Sequence, residues 1–408
     1  LFAPILWLLL LPACLISTKI RHHWLNENSS WKYAENRIKK ECNNRVVVLF
    51  HAASAGEFEQ LQPVLKKMDR DRFFILLTFF SPTVYKHEIN TNLADAVCYH
   101  PFDFVWSAWF FFRRMRIQYY ITTRNDIWPI HLYIANMMEI NTVLINANLY
   151  RESHYKFYVL RSFYQKVLGH FDLILTGSDR LKKNLLHMVS KNKIHITGDS
   201  RFDSVLERKN IVRNELLPNS YAKSKNTILG SIESSDYPIL FSGLKKYYPN
   251  GQDDLENKNH RLIIVPHEID SKNLQKIYKH LSGLGFDVSY YTEKDRLQES
   301  RVIIINVVGI LADLYRYADL AYVGGGFNFN IGVHSVEEPI VYNNAVSFGS
   351  KYHIVDMAVR LADLRLASII HTGDDFSLFL SLFDNNDKLN EIRKKTQDYI
   401  AIQKLASE

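Results

Sequence analysis

Six short stretches of this chain place reactive or anion-holding side chains where a buried strand could deliver them. His51–Glu57 (HAASAGE) sets small residues and Gly56 before an acid. Such residues permit a tight turn into a helix starting near Glu57, and backbone N–H groups at a helix start can hold an anion. Glu57 suits either a general base acting on a substrate hydroxyl or a first-turn acid favoured by the helix dipole. Tyr119–Pro129 (YYITTRNDIWP) gathers Arg124, Asp126 and Trp128, as site residues or as an Arg–Asp ion pair. Gly198–Asp203 (GDSRFD) offers Arg201, either for a phosphate or carboxylate or as surface charge. Gly230–Asp236 (GSIESSD) has a Gly and three Ser residues, Ser231 among them, that can donate to phosphate. It is no P-loop, because the Gly-Lys-Ser/Thr end is missing. Val265–Asp270 (VPHEID) exposes His267 and Glu268 at a strand end, for catalysis or for structure.

The densest of the six is Gly324–Glu338 (GGGFNFNIGVHSVEE). Its glycines, Gly325 among them, lead toward a predicted helix on which His334 and Glu338, four residues apart, share one face. A glycine loop entering a helix suits a phosphate, and the carboxylate suits a ribose diol. The His–Glu pair could instead hold a metal, but no third ligand is apparent. The alternative is a flexible loop and a solvated helix face. Ser81-Pro82, in LTFFSPT, makes a good helix start.

Elements that could position these residues recur along the chain. Apolar runs at Val46–Phe50, Phe73–Phe79, Tyr119–Thr123, Thr142–Ala147, Leu173–Thr176 and Lys193–Thr197 predict strands in the first half. Thr227–Ser231, Arg261–Val265, Val302–Asn306, Leu320–Val323 and Ala345–Phe348 predict them in the second. Longer mixed segments between them predict βαβ units and two parallel sheets covered by helices. In such sheets ligands bind beyond the carboxyl ends of the strands, where the six stretches lie. Leu206–Lys225, charged and weakly periodic, reads as a linker, and Tyr248–His260 reads as a polar surface loop.

The 408 residues suit two domains, and 47% hydrophobic content excludes general disorder. Three cysteines, Cys14, Cys42 and Cys98, make neither a disulfide framework nor a zinc site. The net charge of +7 is uneven: residues 18–205 carry +9 and residues 206–408 carry −2. The basic half therefore suits an anionic partner: nucleic acid, a membrane surface or a phosphorylated substrate. Nucleic acid is disfavoured, as no basic-aromatic recognition motif occurs. Leu1–Ser17 is an uncharged apolar run followed by Lys19, Arg21, His22, His23 and Trp24. It reads as a membrane anchor with the rest of the chain cytoplasmic; a signal peptide and a buried helix are the alternatives.

HAASAGE, SPT, IWP, Asn146–Leu149 (NANL), GDSRFD, GGG…HSVEEP and Phe348–Ser350 (FGS) occur in an order that resembles the Kdo (3-deoxy-D-manno-octulosonic acid) transferase family. The likeness runs from the N-terminal segment to about Ala362. It implies an α/β GT-B glycosyltransferase fold, two facing Rossmann-like domains with an N-terminal membrane anchor. The corresponding division is 1–17 anchor, 18–205 acceptor domain, 206–225 linker, 226–385 CMP-sugar domain and 386–408 C-terminal helix. It also implies transfer of Kdo from CMP-Kdo to the lipid A precursor of lipopolysaccharide, at the cytoplasmic face of the inner membrane. Partners would be that donor, that acceptor and an anionic membrane surface, with no nucleic acid.

By the same resemblance Glu57 would be the general base, with Ser54 and Gly56 of its motif meeting the acceptor. Arg201 matches a basic residue thought to stabilise developing charge, and Asp126 keeps the second acid of the family's E-x-E-L-W-P-N. Donor contacts would come from Ser231, Pro266, His267, Val308, Gly309, Ile310, Gly325, His334, Ser335, Val336, Glu337 and Glu338, with Glu338 on the ribose. No metal or cofactor is called for, and no Asp-x-Asp motif occurs. The chain departs from the family's pattern in several places. Arg124 stands at a glutamate position, and His267 follows Pro266 without the family's intervening Arg. Ser335 replaces an Asn, Ile310 an acid, and Asn148 the Arg of N-A-R-L-S. A non-catalytic GT-B protein binding nucleotide or lipid, or a GT-B transferase using another nucleotide sugar, is the alternative.

Overall fold

The computed structural model describes residues 12, 15–149, 158–211, 215–328, 332–403 and 405–408. It divides into two compact units, Leu1–Ser204 with Lys404–Glu408, and Val205–Gln403.

The first unit is built on β1 (Val46–Ala52), β2 (Phe73–Phe79), β3 (Ala96–Tyr99), β4 (Tyr119–Thr123), β5 (Asn141–Ala147), β6 (Leu173–Thr176) and β7 (Ile194–Ile196). They form one parallel sheet in the order β3-β2-β1-β4-β5-β6-β7. β1 (VVVLFHA) is apolar almost throughout because both faces are covered. On one face Trp31, Ala34 and Ile38 of the helix Thr18–Glu41 pack with Phe111, Phe112 and Tyr120. On the other, Phe58, Leu61 and Leu65 of the helix Ala55–Lys67 meet Phe50 and Phe79.

The second unit repeats the plan with β8 (Lys225–Ile232), β9 (His260–Pro266), β10 (Val288–Tyr290), β11 (Val302–Ile304), β12 (Leu320–Val323), β13 (Ala345–Gly349) and β14 (Ala367–Ile370). Their order is β10-β11-β9-β8-β12-β13-β14, again parallel. In each sheet the chain starts centrally and later crosses to the other side, at β1/β4 and at β8/β12. Loops diverge beyond the strand ends at such crossings and leave a crevice for a ligand.

Three details differ from the sequence reading. Strands β3, β10 and β14 were not expected; each is three or four residues long and lies at a sheet edge. The segment read as a polar loop contains the helix Gln252–Asn257, held by the fully buried Leu255. The helix Ser200–Asn210 runs on into the expected linker, which also holds the short helix Asn219–Ala222. Among the described residues no helix is long and apolar enough to cross a membrane. The expected anchor at 1–17 lies largely outside the described residues.

Candidate functional site

At the β1/β4 crossing the chain leaves β1 through Ala53 and starts the helix Ala55–Lys67 at its N-cap, Ser54. The start is a capping box: the Ser54 N–H and Oγ donate to Glu57 Oε2 at 2.8 and 2.9 Å, and the Glu57 N–H donates to Ser54 Oγ. Reciprocal bonds of this kind satisfy the open N–H groups of a helix start. Both alternatives for Glu57 therefore stay on one side chain, because Oε2 caps the helix and a carboxylate has a second oxygen. Gly56 lies in the first turn, where an added Cβ would meet nothing within 4 Å.

Asp126 follows β4 and is buried, and burial together with the nearby Glu57 charge pushes its carboxyl up to about 8. The Trp128 indole N–H donates to Asp126 Oδ1 at 2.8 Å, and this bond and one from the Ala53 backbone oppose the rise without cancelling it. Asp126 Oδ2 stands 3.1 Å from His51 Nε2, although neither atom has a partner in good hydrogen-bond geometry. Burial, reinforced by His131, holds His51 well below the usual histidine range. His51 Nδ1 faces the Thr78 carbonyl at 3.1 Å and so carries the ring proton, which leaves Nε2 as an acceptor. Asp126 Oδ2 and His51 Nε2 thus lie close together without a well-formed hydrogen bond between them.

His51 is the end of a longer buried chain. Its ring stacks on His100 with centroids 3.5 Å apart. His100 Nδ1 is 3.0 Å from Thr78 Oγ1, and its Nε2 is 2.9 Å from His131 Nδ1 and 3.1 Å from the Tyr120 hydroxyl. All three histidines are fully buried, and burial lowers each of their pKa values.

Arg201 follows Ser200, at the start of the helix Ser200–Asn210. That start is pinned twice to the glutamate-bearing helix, by Ser200 Oγ on the Gln60 carbonyl and Ser204 Oγ on the Glu59 carbonyl. Asn146, in the left-handed region at φ 53°, also grips Ser200: Nδ2 donates to its Oγ at 2.7 Å and Oδ1 accepts its N–H at 3.1 Å. Three distant motifs thus converge on one helix start. Arg124 also has a positive φ, 59°, and lines a partly apolar pocket of about 500 Å³ with Leu149, Phe163 and Leu168.

At the β8/β12 crossing Asp236 organises the turn. Its Oδ2 accepts the N–H of Glu233 at 2.7 Å and of Gly325 at 3.0 Å, and Oδ1 accepts the Tyr322 hydroxyl. Burial raises the Asp236 carboxyl, and those donors work against the rise. Ser231 sits at a register shift in β8 with φ 51°, and a Cβ on Gly324 would run into its carbonyl oxygen. Pro266 ends β9, and the His267 N–H donates to the Ile232 carbonyl. His267 stacks on His334 with centroids 4.5 Å apart, and His334 Nε2 lies 3.1 Å from Glu233 Oε1. Burial, then His267, lowers the His334 pKa, and Glu233 opposes them.

The expected pairing of His334 with Glu338 on one helix face is corrected here. His334 lies outside any helix, its N–H held by the Gly324 carbonyl, and the helix Glu337–Val341 begins only after it. Gly325 consequently does not lead directly into a helix. Ser335 Oγ donates to Glu337 Oε2, with Glu337 and Val336 buried, while Glu338 is half-buried and its charge adds to the burial that raises Tyr315. Val308 is exposed, Gly309 has φ 86°, and Ile310 caps the short helix Leu311–Leu314.

Residues 28–204 match the family model of 3-deoxy-D-manno-octulosonic-acid (Kdo) transferases. The Kdo transferase of Chlamydia muridarum is 26% identical over 386 residues, covering 91% of this chain and 85% of that protein. That of Aquifex aeolicus is 27% identical over 323 residues, covering 78% of this chain and 79% of that protein. The chain is thus similar to Kdo transferases over most of its length, at low identity. Its two parallel-sheet units resemble known GT-B folds. One such likeness is to a UDP-GlcNAc 2-epimerase from Neisseria meningitidis solved with UDP-GlcNAc, at TM-score 0.61 and 12% identity, covering 89% of this chain and 97% of that one.

For a Kdo transferase relative, two groups of residues lay beyond the sequence reading. The His51–His100–His131 chain joins β1, the turn after β3 and the helix Pro129–Met137, so no local spacing announces it. Glu233 is 101 residues from His334. Its signal was its place directly after β8, where Gly230 and the three serines had drawn notice instead.

Proposed function

We propose that the chain transfers Kdo from CMP-Kdo to a lipid A precursor, with Glu57 as general base. The observation that carries this reading is the acid pair beyond β1 and β4. Asp126, held at about 8, keeps its proton at neutral pH, and Glu57 is the other acid of the pair. The acceptor hydroxyl gives its proton to Glu57 while its oxygen bonds to the anomeric carbon of Kdo. The bond to CMP breaks, and its electron pair leaves on the phosphate. Because CMP leaves readily, positioning and one base supply most of what the step requires.

Arg201 fits the role of steadying developing negative charge, on a helix start fixed by Ser200, Ser204 and Asn146. The second unit fits the donor role, with Glu338 on the ribose. The pocket beside Arg124, lined by Phe163, Leu149 and Leu168, suits an acceptor bearing acyl chains and phosphate. Work at the cytoplasmic face of the inner membrane fits the helix Val105–Met115, where Trp106, Trp109 and Phe110 are exposed beside Arg113 and Arg116. Aromatic and basic residues together favour an anionic interface.

The test is incubation of the purified protein with CMP-Kdo and a tetra-acylated lipid A precursor, followed by mass spectrometry. A mass gain of one or more Kdo units with release of CMP is expected. Failure with CMP-Kdo, together with turnover of another nucleotide sugar, would overturn the donor assignment.

A further inference from the structure

We propose that Glu233, His267 and His334 form a divalent-cation site in the pocket beyond β8 and β9, with open coordination positions that an anionic ligand completes. One ligand atom from each of the three lies within 4.8 Å of the others. A metal–nitrogen bond of about 2.0–2.1 Å puts tetrahedral ligand atoms about 3.3 Å apart. Glu233 Oε1 and His334 Nε2, at 3.1 Å, are close to that separation. His267 is stacked on His334 and is the most exposed of the three, with a ligand atom within 4.8 Å of the other two.

The surroundings hold these ligands in place. Asn328 Nδ2 donates to the other Glu233 oxygen at 3.1 Å, the arrangement by which an outer partner orients a ligating carboxylate. The Glu233 backbone is fixed by Asp236 and that of His334 by the Gly324 carbonyl. Gly325 lies at φ 86°, and a Cβ there would run into the Gly332 carbonyl and stand 3.2 Å from His334 Nε2. The glycine thus gives His334 room to reach Glu233.

Charge supplies the second argument. The described lining of this pocket contains the carboxylates of Glu233 and Glu268 and no Lys or Arg. By itself such a pocket repels a phosphate or a carboxylate. A dication held by two imidazoles and one carboxylate reverses the local sign and leaves sites open for ligand oxygens. The statement that this ligand is CMP-Kdo rests on the proposed function; the cation site does not.

The test uses the full chain, stripped with EDTA, and Zn²⁺ alone as the probe. Calorimetry is expected to show one equivalent bound, and Co²⁺ in place of Zn²⁺ to give the visible bands of a four- or five-coordinate ion. Glu233→Gln and His334→Ala should each weaken Zn²⁺ binding at least tenfold and abolish a Zn²⁺-dependent rise in Tm. His87→Ala, at an exposed histidine of the first unit, should change neither. Circular dichroism identifies any variant that fails to fold, and Glu233→Gln, which keeps the carboxamide oxygen for Asn328, guards against that failure. Unchanged Zn²⁺ affinity in folded Glu233→Gln and His334→Ala would overturn the site. A second titration, of CMP-Kdo with and without Zn²⁺, should show donor binding at least fivefold tighter with the metal. Zn²⁺ binding with no CMP-Kdo binding in either condition would keep the cation site and overturn the donor reading. Normal CMP-Kdo binding with no Zn²⁺ binding would do the reverse.

Discussion

Both sheets end their central crossing in an acid and a set of histidines, but at different depths. Beyond β1 and β4 the histidines lie beneath the acid, fully buried and neutral, and Asp126 is pushed to about 8. Beyond β8 and β12 they stand beside the acid, half-buried or exposed, with ring nitrogens and a carboxylate oxygen drawn together. Depth decides the chemistry. Burial keeps those imidazoles uncharged, and burial with the nearby Glu57 charge keeps the proton on Asp126. Imidazoles at the pocket surface are accessible ligands.

The largest effect expected from breaking this contrast is at Glu57. Gln keeps the helix cap, since either residue closes a capping box, but cannot accept a proton. Glu57→Gln should lower kcat for Kdo transfer by roughly 10²–10⁴-fold, the usual worth of a general base, with little change in Tm. A kcat within threefold of the parent would remove the base from the scheme.

Asp126→Asn tests the buried side directly. The native carboxyl keeps its proton to about 8, whereas the unfolded one gives it up near 3.8. Unfolding therefore releases a proton between those values, and stability falls as pH rises through that window, at about 1.4 kcal/mol per pH unit. Asn has no proton to lose, so denaturant midpoints at pH 5 and pH 8 should lie closer together in the variant. An equal pH slope in both proteins would place the charge elsewhere.

Glu338→Ala sharpens the other half of the contrast. It should raise the KM for CMP-Kdo about tenfold while leaving kcat nearly unchanged, as loss of ground-state donor binding would. An unchanged KM rejects the ribose role. Ser54→Ala should have the smallest effect, about 1 kcal/mol lower stability from the lost cap, read as a shift in denaturant midpoint.

How much of this was legible follows from where each residue draws its context. β2, β4, β6 and β12 were readable to the residue because a buried parallel strand is a continuous apolar run. β3 (AVCY), β10 (VSY) and β14 (ASII) gave too few residues to stand out, as edge strands often do. Glu57 and Asp126 were visible because each directly follows such a strand. Their coupling was not, because it is a through-space effect of the Glu57 charge on a buried carboxyl, which no local pattern records. His334 was noticed with the wrong partner. Helical spacing pointed to Glu338, whereas His334 lies before the helix and faces Glu233.

The capping box at Ser54 also bears on how an enzyme cycle closes. While Glu57 is charged, two donors from Ser54 hold its Oε2, and bonds to an ionised acceptor are roughly twice as strong as neutral ones. A proton accepted in the proposed transfer neutralises the carboxylate and slackens the first turn of its helix. The relaxed cap favours giving that proton back to solvent once product leaves. In the proposed mechanism the start of this helix would work as a return spring, resetting the base for the next acceptor.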